Sequence, residues 1–129
     1  MKKKILVVDD DFDMVEEIRS LLVKAGYSVI TAASGDECLK KAADDIPDLI
    51  LLDVILSGAG GISVCSRLKE DDKTKDIPVI MVTGLLGESI QKKGHKSGAD
   101  YVLSKPFDPA DLLWEVGDVL EKKNDAKAA

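Results

Sequence analysis

The chain has 129 residues, 45% hydrophobic and 33% charged, with 18 basic against 24 acidic side chains and a formal net charge of −6. That composition suits one soluble domain long enough for a core, and the acidic balance argues against direct nucleic-acid binding or an anionic membrane surface, both of which need a basic face. No apolar run reaches the roughly 18 residues of a membrane span, and Ile5–Val8 is too short for a signal peptide, so a cytoplasmic location is expected.

Lys4-Ile5-Leu6-Val7-Val8-Asp9 is an apolar run that ends in an acid, the pattern of a strand buried on both faces of a parallel sheet. Asp10, Asp11 and Asp13 follow, and from Met14 the apolar residues (Val15, Ile18, Leu21, Leu22, Ala25) recur at helical spacing until Gly26, a residue suited to a left-handed helix end. Tyr27 to Ala32 alternates and reads as an edge strand. Ser34-Gly35-Asp36-Glu37 is a capping box that opens a second helix, which Pro47 stops. Cys38 and Cys65 fall in helical patterns without Cys-x-x-Cys spacing and read as reduced, buried or half-buried thiols.

Asp48-Leu49-Ile50-Leu51-Leu52-Asp53 repeats the apolar-then-acid pattern and is the third strand, with Asp53 at its carboxyl end. Ser57-Gly58-Ala59-Gly60-Gly61 is a glycine-rich loop that lacks the lysine of a phosphate-cradling loop. A third helix turns Ile62, Cys65 and Leu68 inward, and Lys69–Asp76 reads as a charged, solvated connection. Pro78 to Thr83 is the fourth strand, ending in a hydroxyl before Gly84. The helix expected over about Leu86–Lys96 is weak, since Gly87 and Gly94 each cost it about 1 kcal/mol relative to alanine, and its His95 reads as a surface residue. Asp100–Ser104 is the fifth strand, Lys105-Pro106-Phe107 follows, and Asp108-Pro109 caps a last helix with Leu112, Leu113, Val116, Val119 and Leu120 on its apolar face.

Five alternations of strand and helix imply an α/β fold, a doubly wound five-stranded parallel sheet with helices on both faces. In strand order 2-1-3-4-5 the switch point lies between strands one and three, which sets Asp9 and Asp10 beside Asp53, with Thr83 and Lys105 at the ends of the next two strands. Carboxylates about 4 Å apart repel by roughly 4 kcal/mol per pair at an effective dielectric near 20. Lys105 offsets part of this, and a hard divalent ion on oxygen ligands would offset the rest. Acids that merely favour a helix start would account for Asp10, Asp11 and Asp13, but not for the lysine, the threonine and the lone acid at three other strand ends. A metal beside a carboxylate suits phosphoryl transfer to that carboxylate, with Thr83 and Lys105 as partners of the new group.

Val8-Asp9-Asp10-Asp11, Leu52-Asp53-Val54, Val82-Thr83-Gly84 and Ser104-Lys105-Pro106-Phe107 together resemble the signature of the response-regulator receiver domain of two-component signalling, over about residues 3 to 122. The resemblance implies the CheY-like, flavodoxin-like (βα)5 fold for residues 1–122, with 123–129 left as a short charged tail expected to be disordered. It implies a Mg²⁺-dependent phosphoacceptor, not an enzyme acting on an external substrate. Its donor would be a sensor histidine kinase or a histidine phosphotransfer protein, and its readout a downstream protein target or output domain. Docking would use the surface of the fourth helix, fifth strand and fifth helix. Asp53 would be the phosphorylation site, and Asp9, Asp10, Asp53 and the backbone carbonyl of Ile55 would hold the metal. Thr83 and Lys105 would bind the phosphoryl oxygens, and the Lys105–Pro106 bond would be cis. Ser57 stands where the family usually has proline, while Gly61 matches the family's later glycine. Val102 stands at the usual switch aromatic, with Tyr101 on the opposite strand face. Ile55 and Leu85 stand at two positions that tune dephosphorylation; neither side chain can orient a water, which implies slow autodephosphorylation. A haloacid-dehalogenase-type phosphohydrolase, suggested by Asp9-x-Asp11, and a passive interaction domain are the competing readings.

Overall fold

The computed structural model describes residues 2–56, 60–85 and 88–128, with side chains described as far as 123. Five strands alternate with five helices: β1 Lys4–Val8, α1 Phe12–Lys24, β2 Ser28–Ala32, α2 Gly35–Asp45, β3 Leu49–Asp53, α3 Gly61–Glu70, β4 Val79–Thr83, α4 Glu88–Lys96, β5 Tyr101–Ser104 and α5 Pro109–Ala128. The strands form one parallel sheet in the order β2-β1-β3-β4-β5, as expected, with β2 at an edge. The loop residues Ser57, Gly58 and Ala59, and Leu86 and Gly87 before α4, lie outside the described residues. No described helix is long and apolar enough to cross a membrane.

The apolar runs are continuous because each strand serves two cores. Successive side chains point to opposite faces of a strand. Leu6, Val8, Ile50, Leu52, Val79, Met81 and Val102 pack with Cys38 and Ala42 of α2 and with Val64, Cys65 and Leu68 of α3. Ile5, Val7, Leu49, Leu51, Ile80, Val82 and Leu103 pack with Val15, Ile18 and Leu22 of α1 and with Leu112, Val116, Val119 and Leu120 of α5. Both cysteines are buried and free; burial, with Cys65 nearby, pushes the Cys38 thiol up to about 12.

Helix ends follow the sequence closely, with instructive exceptions. Gly26 adopts φ +99° after α1. The Ser34 hydroxyl accepts from Glu37 N–H at 3.2 Å, but the Glu37 carboxylate accepts from Ala33 N–H at 3.1 Å, one residue before the cap. Before Pro47, α2 ends on Ile46 at φ 42°, a left-handed conformation that a β-branched residue adopts at a cost of roughly 1–2 kcal/mol. Ile46→Gly should therefore raise stability by about 0.5–1 kcal/mol after the added freedom of the unfolded chain is counted, read as a higher urea midpoint, whereas Ile46→Val should give none.

The stretch Lys69–Asp76 is not simply a solvated connection. The last carbonyls of a helix need donors, and a polar side chain supplies one here. Thr74 is buried and donates to the Leu68 carbonyl at 2.7 Å, while Lys69 reaches forward to the Ile77 carbonyl at 2.7 Å. Asp48 and Asp100 stand just before β3 and β5 and accept from the backbone N–H of Lys4 and Val79, at 2.7 and 2.8 Å, which ties neighbouring strand starts together. α5 continues to Ala128, past the domain end expected at 122, so the stretch expected as a disordered tail carries helical backbone. Glu121, Lys122, Lys123 and Ala126 are all good helix formers and need no apolar partner for this.

Candidate functional site

At the carboxyl edge of the sheet, β1 and β3 end side by side with helices leaving to opposite faces, the place where open α/β sheets form clefts. Asp9 follows β1 directly and Asp53 closes β3; they are 4% and 8% exposed. Asp10 is exposed. One carboxylate oxygen from each of Asp9, Asp10 and Asp53 lies within 4.8 Å of the others. Lys105, after β5, reaches back across β4 with its Nζ 3.1 Å from Asp9 Oδ2 and 3.5 Å from Asp53 Oδ2. The Lys105–Pro106 bond is cis, as expected.

Backbone groups fix the two buried acids. Asp9 Oδ1 accepts from Asp11 N–H at 3.0 Å, and Asp53 Oδ1 from Ile55 N–H at 3.3 Å. Burial pushes the Asp53 carboxyl up to about 6, and the neighbouring Asp9 charge adds to it; Lys105 and the Ile55 N–H pull the other way. Burial disfavours the Lys105 ammonium, but its hydrogen bond to Asp9 and the Asp53 charge outweigh that and hold its pKa above the ordinary lysine value. The acids thus carry more negative charge than the one lysine offsets. Every side-chain donor here is a hard oxygen, which suits Mg²⁺.

Thr83 closes β4 and is 1% exposed. It follows Val82, which pairs with Asp53 in the sheet, and its carbonyl accepts from Lys105 N–H at 2.7 Å, so one backbone link joins the threonine to the lysine. Its Oγ1 accepts from Leu85 N–H at 3.0 Å. Ile55 is 59% exposed and Leu85 is also exposed, beside the ends of β3 and β4.

Asp9, expected here from its place at the end of an apolar run, is the most buried of the three acids and makes the shorter contact to Lys105. One feature escaped the sequence reading. Gly61 was only a pattern match. A Cβ there would lie 2.1 Å from the Asp53 carbonyl oxygen and 2.8 Å from Val54 Cα, and its N–H donates to the Val54 carbonyl at 2.8 Å. The start of α3 therefore presses on the peptide that carries Asp53, and only glycine permits it.

The expected split of Tyr101 and Val102 is present. Tyr101 packs on the α1 and α5 side, with Glu115 of α5 near its hydroxyl; burial, then the Glu115 carboxylate, raises its pKa. Val102 lies on the other face, beneath α4. A Cβ on Gly94 would meet Val102 Cγ2 at 2.8 Å and Met81 Sδ at 3.3 Å, so the glycine that weakens α4 also lets it sit close on the sheet.

A family model described as the response regulator receiver domain matches residues 5–116. The response regulator PleD of Caulobacter vibrioides is 42% identical over 116 residues, covering 90% of this chain and 26% of that protein. The alkaline phosphatase synthesis transcriptional regulatory protein PhoP of Bacillus subtilis is 41% identical over 122 residues, 95% of this chain and 50% of that protein. The chain thus spans between a quarter and a half of these relatives. Among solved structures, a CheY-like response regulator receiver domain protein of Methanospirillum hungatei superposes with a TM-score of 0.92 at 28% identity, covering 98% of this chain and 99% of that one. The chemotaxis protein CheY4 of Vibrio cholerae gives 0.87 at 32% identity, covering 92% and 99%.

Proposed function

The chain belongs to the response regulator receiver domain family, and from that premise we propose that it is a phosphoacceptor switch whose reactive group is Asp53, loaded by a histidine kinase or a histidine phosphotransfer protein. One observation carries the reading: a buried carboxylate, crowded by a second buried acid and touched by one lysine, stands at the strand end between β1 and β4. A carboxylate oxygen of Asp53 forms a new bond to phosphorus while the bond from phosphorus to the donor's histidine nitrogen breaks, and the imidazole leaves. Asp9, Asp10, Asp53 and the Ile55 carbonyl are the groups that would hold Mg²⁺, which when bound supplies positive charge to the phosphoryl oxygens. Lys105 is already aimed at Asp53 and would shift one contact from carboxylate to phosphoryl oxygen. Thr83 would exchange its bond from Leu85 N–H for one that donates to the same group.

Moving Thr83 would pull on the end of β4. With Tyr101 packed on the opposite face, the seat of Gly94 on Met81 and Val102 is the route by which α4 would register that pull. A downstream protein or output domain would read the change, and the acidic chain itself is not assigned a nucleic-acid contact.

Acetyl phosphate and Mg²⁺ should add one phosphoryl group to the intact protein. Asp53→Asn should abolish the gain and a chelator suppress it; an undiminished gain in Asp53→Asn would place the acceptor elsewhere. The apolar Ile55 side chain beside the acid should make the phosphoryl group long-lived. Ile55→Asn, which can orient a water, should shorten its half-life by about tenfold or more. A change of no more than a few-fold would mean that this side chain does not limit water attack.

A further inference from the structure

We propose that the outward crest of α5 is a docking site for a cationic, arginine-bearing segment of another protein, anchored on Trp114. Leu112, Val116, Val119 and Leu120 turn α5 inward, and at about 100° per residue Trp114 falls on the opposite side. It is the only tryptophan of the chain and is 66% exposed. Beside it lies a shallow hollow of about 300 Å³ lined by Leu113, Trp114, Gly117, Asp118 and Glu121.

The hollow exists because position 117 is glycine, and packing does not require one there. Gly61, Gly94 and Gly98 each leave room for an atom within 3 Å of the Cβ they lack. At Gly117 the nearest atom would be the Tyr27 hydroxyl, 4.0 Å away, and its φ is not left-handed. An alanine would fit and would strengthen the helix. A notch that the fold does not need, beside an aromatic that the fold does not bury, makes a seat for a side chain from outside.

Charge selects the occupant. Asp118 and Glu121 line the hollow with Trp114, and Asp111 lies one helical turn before it on the same side. Lys122 is taken by Asp118 at 3.0 Å and Glu115 lies near the Tyr101 hydroxyl, while Asp111 and Glu121 make no ion pair among the described residues. A two-fold contact with a second copy would set this acidic face against itself. Nucleic acid and anionic lipid are repelled for the same reason. A guanidinium suits both features at once, since it stacks on an indole face and pairs with carboxylates.

The test uses the whole, unphosphorylated chain and a labelled amphipathic helical peptide carrying arginine and leucine, followed by fluorescence polarisation. Binding should be saturable. Trp114→Ala should weaken it by about tenfold and Glu121→Lys by about threefold or more. Asp44→Lys, the same charge change on exposed α2, should alter it by less than about twofold. A twin peptide with lysine for arginine should bind at least about threefold more weakly. Absent or unsaturable binding, or equal losses in Glu121→Lys and Asp44→Lys, would overturn the proposal. So would self-association in sedimentation that Trp114→Ala removes, which would make a second copy the occupant. Circular dichroism of each variant separates a lost contact from a lost fold, and none of these readouts depends on Asp53 being the phosphoacceptor.

Discussion

Gly61→Ala should destabilise the protein by about 3 kcal/mol, near the upper end of what overpacking usually costs. A Cβ at this position meets the Asp53 carbonyl oxygen at 2.1 Å, Val54 Cα at 2.8 Å and the Asp53 carbonyl carbon at 3.0 Å. All three are backbone atoms of β3 and its exit, so no side-chain rotation relieves the clash. Either α3 lifts at its amino end, or the peptide after Asp53 tilts. The first loses the bond from Gly61 N–H to the Val54 carbonyl; the second moves the carboxylate away from Lys105. Gly60→Ala is the matched control, because its Cβ would find only the Val54 carbonyl oxygen, at 3.9 Å. Urea unfolding should separate the two variants by more than about 2 kcal/mol, and uptake from acetyl phosphate should fall sharply in Gly61→Ala at temperatures where it remains folded. Equal midpoints would show that α3 does not rest on the Asp53 peptide.

This contact illustrates what the sequence could and could not reveal. The strands were legible because each is an apolar run with a polar end, and the acids and the lysine were legible because strand order alone brings Asp9, Asp10, Asp53 and Lys105 together. Those are consequences of periodicity and topology, which act over many residues. The glycines were not legible in the same way. In a sequence a glycine signals freedom or a weak helix; at Gly61 and Gly94 it marks two backbones pressed together, which depends on where another element lies. Polar closures were hidden for a related reason. Thr74 on the Leu68 carbonyl, and Asp48 and Asp100 on neighbouring strand starts, are single hydrogen bonds set by local geometry, with no pattern that repeats along the chain. Among charged residues they read as solvated.

Asp53→Asn should make the metal-free protein more stable at neutral pH, by about 2–3 kcal/mol, while removing its acceptor. The Asp53 carboxyl is raised from 3.8 to about 6 in the folded chain, chiefly by burial and then by Asp9. Between those two values the folded state binds more protons than the unfolded state, so stability falls as pH rises through that window. Below it both states are protonated and the acid costs nothing; above it the full cost is present, at about 1.4 kcal/mol for each tenfold weakening of the acid on folding. An amide keeps the shape and never ionises. The gain in Asp53→Asn, measured by urea unfolding in chelator, should therefore be greatest near about pH 7.5 and shrink towards about pH 4. Comparing the two proteins at each pH cancels the titration of acids remote from this site. Mg²⁺ should narrow the gap at neutral pH, because a ligand of the folded state stabilises it in proportion to its affinity and the variant has lost one carboxylate. A gap that stays constant with pH, or a less stable variant in chelator, would mean that the Asp53 carboxylate is not strained by its surroundings. It would then lack the excess negative charge that draws a metal ion and a phosphoryl group to this site.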